Sequence, residues 1–116
     1  SSNSASTTGE VYVLFGKPSG QSFSSPIQLS ASYFDGSNGF IVYGIDSGDW
    51  AGGSVSSAGD VNGDGVSDIL IGAYGGSGST NSGSTTGEVY VLFGKPSGQS
   101  FSSPIQLSTS YFDGSN

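Results

Sequence analysis

Asp60-Val61-Asn62-Gly63-Asp64-Gly65-Val66-Ser67-Asp68 sets oxygen-bearing side chains at the first, third, fifth and ninth places of the stretch, with glycines at the fourth and sixth. Alternation at this spacing lets a tightly curled backbone aim Asp60, Asn62, Asp64 and Asp68 at one centre. Three carboxylates brought together with no basic residue among them repel one another unless a cation lies between them. Hard oxygen donors with one neutral amide suit Ca2+ better than zinc or magnesium. The Val66 carbonyl, at the seventh place, is the expected backbone ligand. Gly65 supplies a sharp turn that a side chain would obstruct. An EF-hand is excluded, because it needs a bidentate Glu at the twelfth place, where this chain has Ile71. A lone Asn-Gly or Asp-Gly would indicate only a solvated turn, whereas four ligand-type residues in register indicate a calcium loop. The flanks, Ser54-Val55-Ser56-Ser57-Ala58 and Ser67-Asp68-Ile69-Leu70-Ile71-Gly72-Ala73, are rich in β-branched residues and Ser. They predict two strands, so the loop is expected at the tip of a β-hairpin.

The chain repeats itself. Residues Ser1 to Asn38 recur as Ser79 to Asn116 with three differences: Ser2 becomes Thr80, Ala5 becomes Gly83 and Ala31 becomes Thr109. The period is therefore 78 residues, and the chain holds about one and a half repeats. It holds one full period and the first 38 residues of the next, as expected of a window cut from a longer periodic array. The substitutions are small for small, the pattern of drifting natural copies.

Composition narrows the fold further. Apolar residues make up 33% of the chain and glycine accounts for 21 positions, which allows thin β layers with Gly-rich turns and not a thick helical core. No 3.6-residue apolar stripe is present, and no run approaches the roughly 20 apolar residues of a membrane span. Formal charge is −7, with only Lys17 and Lys95 positive, so nucleic acid is an unsuitable partner. Acidity with calcium-type spacing suits a medium rich in calcium, outside the cell. Without Cys or His, no disulfide stabilises the fold and no Ser-His-Asp or Cys-His set can form.

Along one unit, Glu10-Val11-Tyr12-Val13-Leu14-Phe15-Gly16 is the strongest strand, returning as Glu88 to Gly94. Its continuous apolar run predicts cover on both faces. Lys17 to Gly20 is a turn, and Pro26-Ile27-Gln28-Leu29-Ser30 is a short alternating edge. Gly39-Phe40-Ile41-Val42-Tyr43-Gly44 is a second buried-type strand, and Asp46 to Gly53 a turn region. The Gly/Ser/Thr-rich stretch from Gly75 to Thr86 is expected to be a solvated loop, with O-glycosylation an alternative.

The order Ser-Val-Ser-Ser-Ala-Gly, Asp-Val-Asn-Gly-Asp-Gly-Val-Ser-Asp, Ile-Leu-Ile-Gly-Ala, then Val-Tyr-Val-Leu-Phe-Gly resembles the FG-GAP repeat, the blade unit of integrin α-chain propellers and of many bacterial surface proteins. The Phe-Gly element is Phe93-Gly94, and also Phe15-Gly16; the Gly-Ala-Pro element is Gly72-Ala73-Tyr74, without its proline. The resemblance runs from about Gly39 to Gly94. It implies an all-β fold of antiparallel four-stranded β-propeller-blade repeats completed by neighbouring copies. It also implies calcium held by Asp60, Asn62, Asp64, the Val66 carbonyl and Asp68. On this basis residues 1–38 are the second half of a repeat, 39–94 a blade with its calcium loop, and 95–116 the start of the next unit.

Three kinds of function compete. A structural, extracellular or cell-surface role follows from near-identical repeats, each with an apolar strand that invites pairing with another copy into an oligomer, fibre or stalk for adhesion. A ligand-binding propeller recognising protein or glycan would use Tyr33, Tyr43, Trp50 and Tyr74, although these aromatics equally suit packing between blades. An enzyme would need a carboxylate pair such as Asp35, Asp46 or Asp49. These lie in Gly-rich turns where Asp bonds to backbone, and Asp35 is duplicated as Asp113. No catalytic residue is expected.

Overall fold

The computed structural model describes residues 8–78 and 85–116. Six strands form: β1 (Glu10–Leu14), β2 (Gly39–Tyr43), β3 (Ala51–Gly59), β4 (Asp68–Ala73), β5 (Glu88–Leu92) and β6 (Ile105–Gln106). No helix occurs among the described residues, and none is long and apolar enough to cross a membrane. The fold is all-β, as the composition and the hairpin predict.

The strands make two three-stranded sheets, ordered β1-β2-β6 and β3-β4-β5. No sheet of four strands occurs among the described residues, where the sequence leads one to expect four-stranded blades completed by neighbouring copies. The repeated strand serves two sheets, as β1 in one and β5 in the other. Nor is the pairing wholly antiparallel. β6 runs parallel to β2, with Val42 opposite Ile105, because it reaches that edge from the other sheet.

β2 holds the first sheet together. All five of its residues are buried. Alternation sends Phe40 and Val42 to one face and Ile41 and Tyr43 to the other. The first face joins Val11, Ala51, Ile71, Leu92, Ile105 and Leu107 in a core drawn from both sheets. The second face carries a smaller cluster with Phe34. The expectation of a buried Gly39–Gly44 strand is met.

Three local expectations are corrected. The Glu-Val-Tyr-Val-Leu strand is not covered evenly, since Leu14 and Val89 are exposed. Each copy lies at the edge of its sheet, with no strand on one side among the described residues. Ala51, Gly52 and Gly53 belong to β3 and not to a turn, so the turn region ends at Trp50. Residues 26–30 are not a strand, whereas their copy contributes β6, because only the second copy lies against the open edge of β2. Much of the Gly/Ser/Thr stretch, residues 79–84 with its candidate glycosylation positions, lies outside the described residues.

Candidate metal loop and its neighbours

β3 and β4 pair antiparallel, and Gly59 opposite Asp68 closes the ladder below the loop. The hairpin is thus present where the flanks predict it. Gly63 and Gly65 take φ of 77° and 86°, values that favour glycine and curl the segment. The Asp60 carboxylate lies under this curl. Its Oδ1 accepts the N–H groups of Gly63 at 2.7 Å and Asp64 at 3.0 Å, and its Oδ2 accepts Gly65 N–H at 2.7 Å. Asp64 accepts Val66 N–H at 2.9 Å, and Asn62 donates its amide to Asp64 at 3.1 Å.

Asp68 differs from the other three. It is 2% exposed, while Asp60, Asn62 and Asp64 are exposed. Its Oδ2 accepts Val61 N–H at 2.7 Å and its Oδ1 accepts Gly94 N–H at 2.8 Å. One buried carboxylate therefore fastens the start of the loop to the end of β5. Gly94 must be glycine here, because a Cβ would run into the Ser67 carbonyl and meet Val66 Cγ1 at 2.6 Å. Spacing alone did not reveal this contact. The Phe-Gly dipeptide was its only signal, and it marks the residue without naming its partner.

Donor chemistry in the loop fits a hard divalent cation: three carboxylates, an amide and the Val66 carbonyl, with no nitrogen or sulfur ligand. The carboxylates are engaged by backbone N–H groups, and no three His, Cys, Asp or Glu side chains gather as a metal-holding group among the described residues.

The remaining candidates are spread over the molecule. Asp35 accepts both the N–H and the hydroxyl of Ser37, at 2.9 and 2.6 Å, and Asp113 does the same with Ser115. These bonds lower the pKa of both carboxyls. Asp46 and Asp49 line a cleft of about 190 Å³ with Glu88 and Tyr90. Burial raises the Asp49 pKa, and the charges of Asp46 and Glu88 raise it further. Burial and a 2.6 Å bond to Glu88 raise that of Tyr90. Glu88 was not foreseen as a neighbour of these turn aspartates.

Of the aromatics, Tyr43 is buried and Tyr33 packs edge-on against Phe34 at 5.2 Å. Trp50 and Tyr74 are 47% and 64% exposed and lie nearly parallel, 12° apart in plane with centroids 6.1 Å apart.

Residues 51–92, from the first residue of β3 to the last of β5, match the family model of the FG-GAP repeat. No curated protein and no solved structure matches the chain. Across those residues the chain is similar to the FG-GAP repeat, a likeness that points to an integrin-like β-propeller type of module. FG-GAP repeats are typically found in extracellular or surface proteins.

Proposed function

We propose that this chain is a calcium-stabilised structural repeat of an extracellular repetitive protein, and that it self-associates to build a fibre, stalk or oligomer for surface structure or adhesion. The observation that carries the calcium reading is the oxygen-only loop at the tip of the β3–β4 hairpin, inside the segment that matches the FG-GAP model. Asp60, Asn62, Asp64, Asp68 and the Val66 carbonyl are the residues that would hold the ion. Bound there, Ca2+ supplies positive charge to three carboxylates that have no basic partner within the loop. Asp68 already ties the loop to Gly94, so fixing the loop would also fix the end of β5. Calcium at 100 times its dissociation constant would add about 2.7 kcal/mol.

Thermal unfolding with millimolar calcium and with chelator tests this reading. The parent should melt higher in calcium. Asp64→Ala should remove that gain while leaving the melting temperature in chelator nearly unchanged, since Asp64 is exposed. Equal melting of parent and variant in calcium refutes the site. Sedimentation of the parent tests self-association separately.

A second reading, recognition of protein or glycan, is favoured by the exposed, nearly parallel Trp50–Tyr74 pair. Flat apolar surface of this kind suits the faces of sugar rings and aromatic side chains. Trp50 is the only Trp in the chain, so its fluorescence reports directly on a glycan panel. No spectral change across the panel removes the glycan form of this reading.

A further inference from the structure

Asn-Gly occurs twice in this sequence, as Asn38-Gly39 and Asn62-Gly63. The dipeptide has a chemistry of its own. The peptide nitrogen of the glycine can attack the side-chain carbonyl carbon of the asparagine, because glycine has no Cβ to hinder the approach. The step needs room for a five-membered ring, a peptide unit free to rotate, and an acceptor for the proton on that nitrogen. The two pairs meet these needs unequally.

Asn38 is held. Its carbonyl accepts Phe15 N–H at 2.9 Å, and its side-chain amide donates to the Tyr33 carbonyl at 3.2 Å. Gly39 is buried at the start of β2, opposite Leu14. A Cβ there would run into the Val13 carbonyl and meet Phe34 at 2.9 Å. The peptide between Asn38 and Gly39 cannot turn without breaking the β1–β2 ladder.

Asn62 is exposed, and a Cβ on Gly63 would meet nothing within 4 Å. Gly63 N–H donates to Asp60 Oδ1 at 2.7 Å, so a carboxylate rests on the proton that must leave. Asp64 N–H donates to Asn62 Oδ1 at 3.2 Å, which closes the side chain over the 62–63 peptide. That donor also draws electron density from the carbon under attack and stabilises an oxyanion formed there.

We propose that Asn62 is a site of spontaneous deamidation in the folded loop, and that Asn38 is not. Gly63 N bonds to Asn62 Cγ, the Cγ–Nδ2 bond breaks, and ammonia leaves with the proton of Gly63 N–H, giving a cyclic imide. Water then opens the ring. Cleavage at Cγ leaves an aspartate at position 62, and cleavage at the backbone carbonyl leaves isoaspartate, with the chain running through the side chain. Water enters, ammonia leaves, and nothing is oxidised or reduced. Either product alters the loop. Aspartate adds a fourth carboxylate to Asp60, Asp64 and Asp68. Isoaspartate inserts a methylene into the backbone and pulls the N–H groups of Gly63, Asp64 and Gly65 away from Asp60. The charge and shape of the loop therefore change as the chain ages, without an enzyme.

Incubating the full chain at neutral pH in chelator, with peptide mapping by mass spectrometry over time, scores Asn62 and Asn38 in the same digest. A parallel sample in concentrated urea supplies the unfolded reference for both. The expected result is conversion at Asn62 with protection of Asn38 in the folded chain, and conversion of both in urea. Asp60→Asn keeps the side-chain shape and removes the carboxylate. It should slow Asn62 by about tenfold, short of the usual contribution of a general base because a carboxylate is a weak one at neutral pH. Continued protection of Asn38 shows that this variant is folded, and the comparison of Asn62 with Asn38 in the parent needs no variant. An Asn62 that converts in urea and stays intact in the folded chain overturns the proposal. Equal conversion of Asn62 and Asn38 in the folded chain overturns it as well, and an unchanged rate in folded Asp60→Asn removes the role given to Asp60.

Discussion

Replacing Asp68 tests whether the metal loop is anchored as described. Its carboxylate is the sole acceptor recorded for two backbone donors on different segments, Val61 N–H at 2.7 Å and Gly94 N–H at 2.8 Å, at a site 2% exposed. Hydrogen bonds to a charged group contribute about 1.5–3 kcal/mol each, and a buried donor left without a partner costs a similar amount. Asp68→Ala should therefore lower stability by about 3–5 kcal/mol, allowing for some recovery of solvent. Against a total of about 5–15 kcal/mol for a typical domain, that is a large fraction. Asp68→Asn keeps one oxygen and turns an amide donor toward the second N–H, so it should lose about half as much. Urea unfolding in chelator is the appropriate assay, because it isolates these hydrogen bonds from any cation. An Asp68→Ala chain within about 0.5 kcal/mol of the parent would refute the anchoring argument.

The two copies of the Phe-Gly element should respond differently to one change. Gly94→Ala forces a methyl group into Ser67 and Val66 and should cost about 1–3 kcal/mol, whereas Gly16→Ala meets nothing within 4 Å and should be nearly neutral in the same unfolding assay. Asp49 has its pKa raised chiefly by burial, so the folded state holds this proton more tightly than the unfolded state. The resulting stabilisation is complete below the unfolded value of 3.8 and is lost as pH rises through the higher folded value. Asp49→Asn should then melt above the parent at neutral pH, with the gap closing toward pH 4. Asp35 and Asp113 have lowered pKa values, so their contributions are present above 3.8 and disappear as pH falls through the folded values.

Local pattern was enough to locate most strands. The β-branched flanks of the loop became β3 and β4, and the Gly39–Tyr43 run became a strand buried on both faces. In each case alternation or continuity of apolar side chains reports how many faces are covered. It does not report which strand supplies the edge. That is why the two three-stranded sheets, the parallel β2–β6 pair and the contact between Glu88 and the turn aspartates were not legible. The metal loop was legible as a donor set and not as a network. Spacing showed Asp68 as a ninth-place oxygen, and only the fold showed it buried under the Gly94 N–H.

Identical sequence in unequal settings isolates what context contributes. Ile27 and Ile105 are the same residue one period apart, yet only Ile105 pairs with β2. A Cβ at Gly16 would meet nothing within 4 Å, whereas one at Gly94 would be pressed against Ser67 and Val66 of the metal loop. Propensity, turn chemistry and apolar pattern are equal within each pair, so none of them explains the difference. Packing against the neighbouring unit does. A repeat of this kind therefore draws its stability from interfaces as much as from its own strands. Changes at a repeated position should be judged by which neighbour it meets, and not by the residue that occupies it.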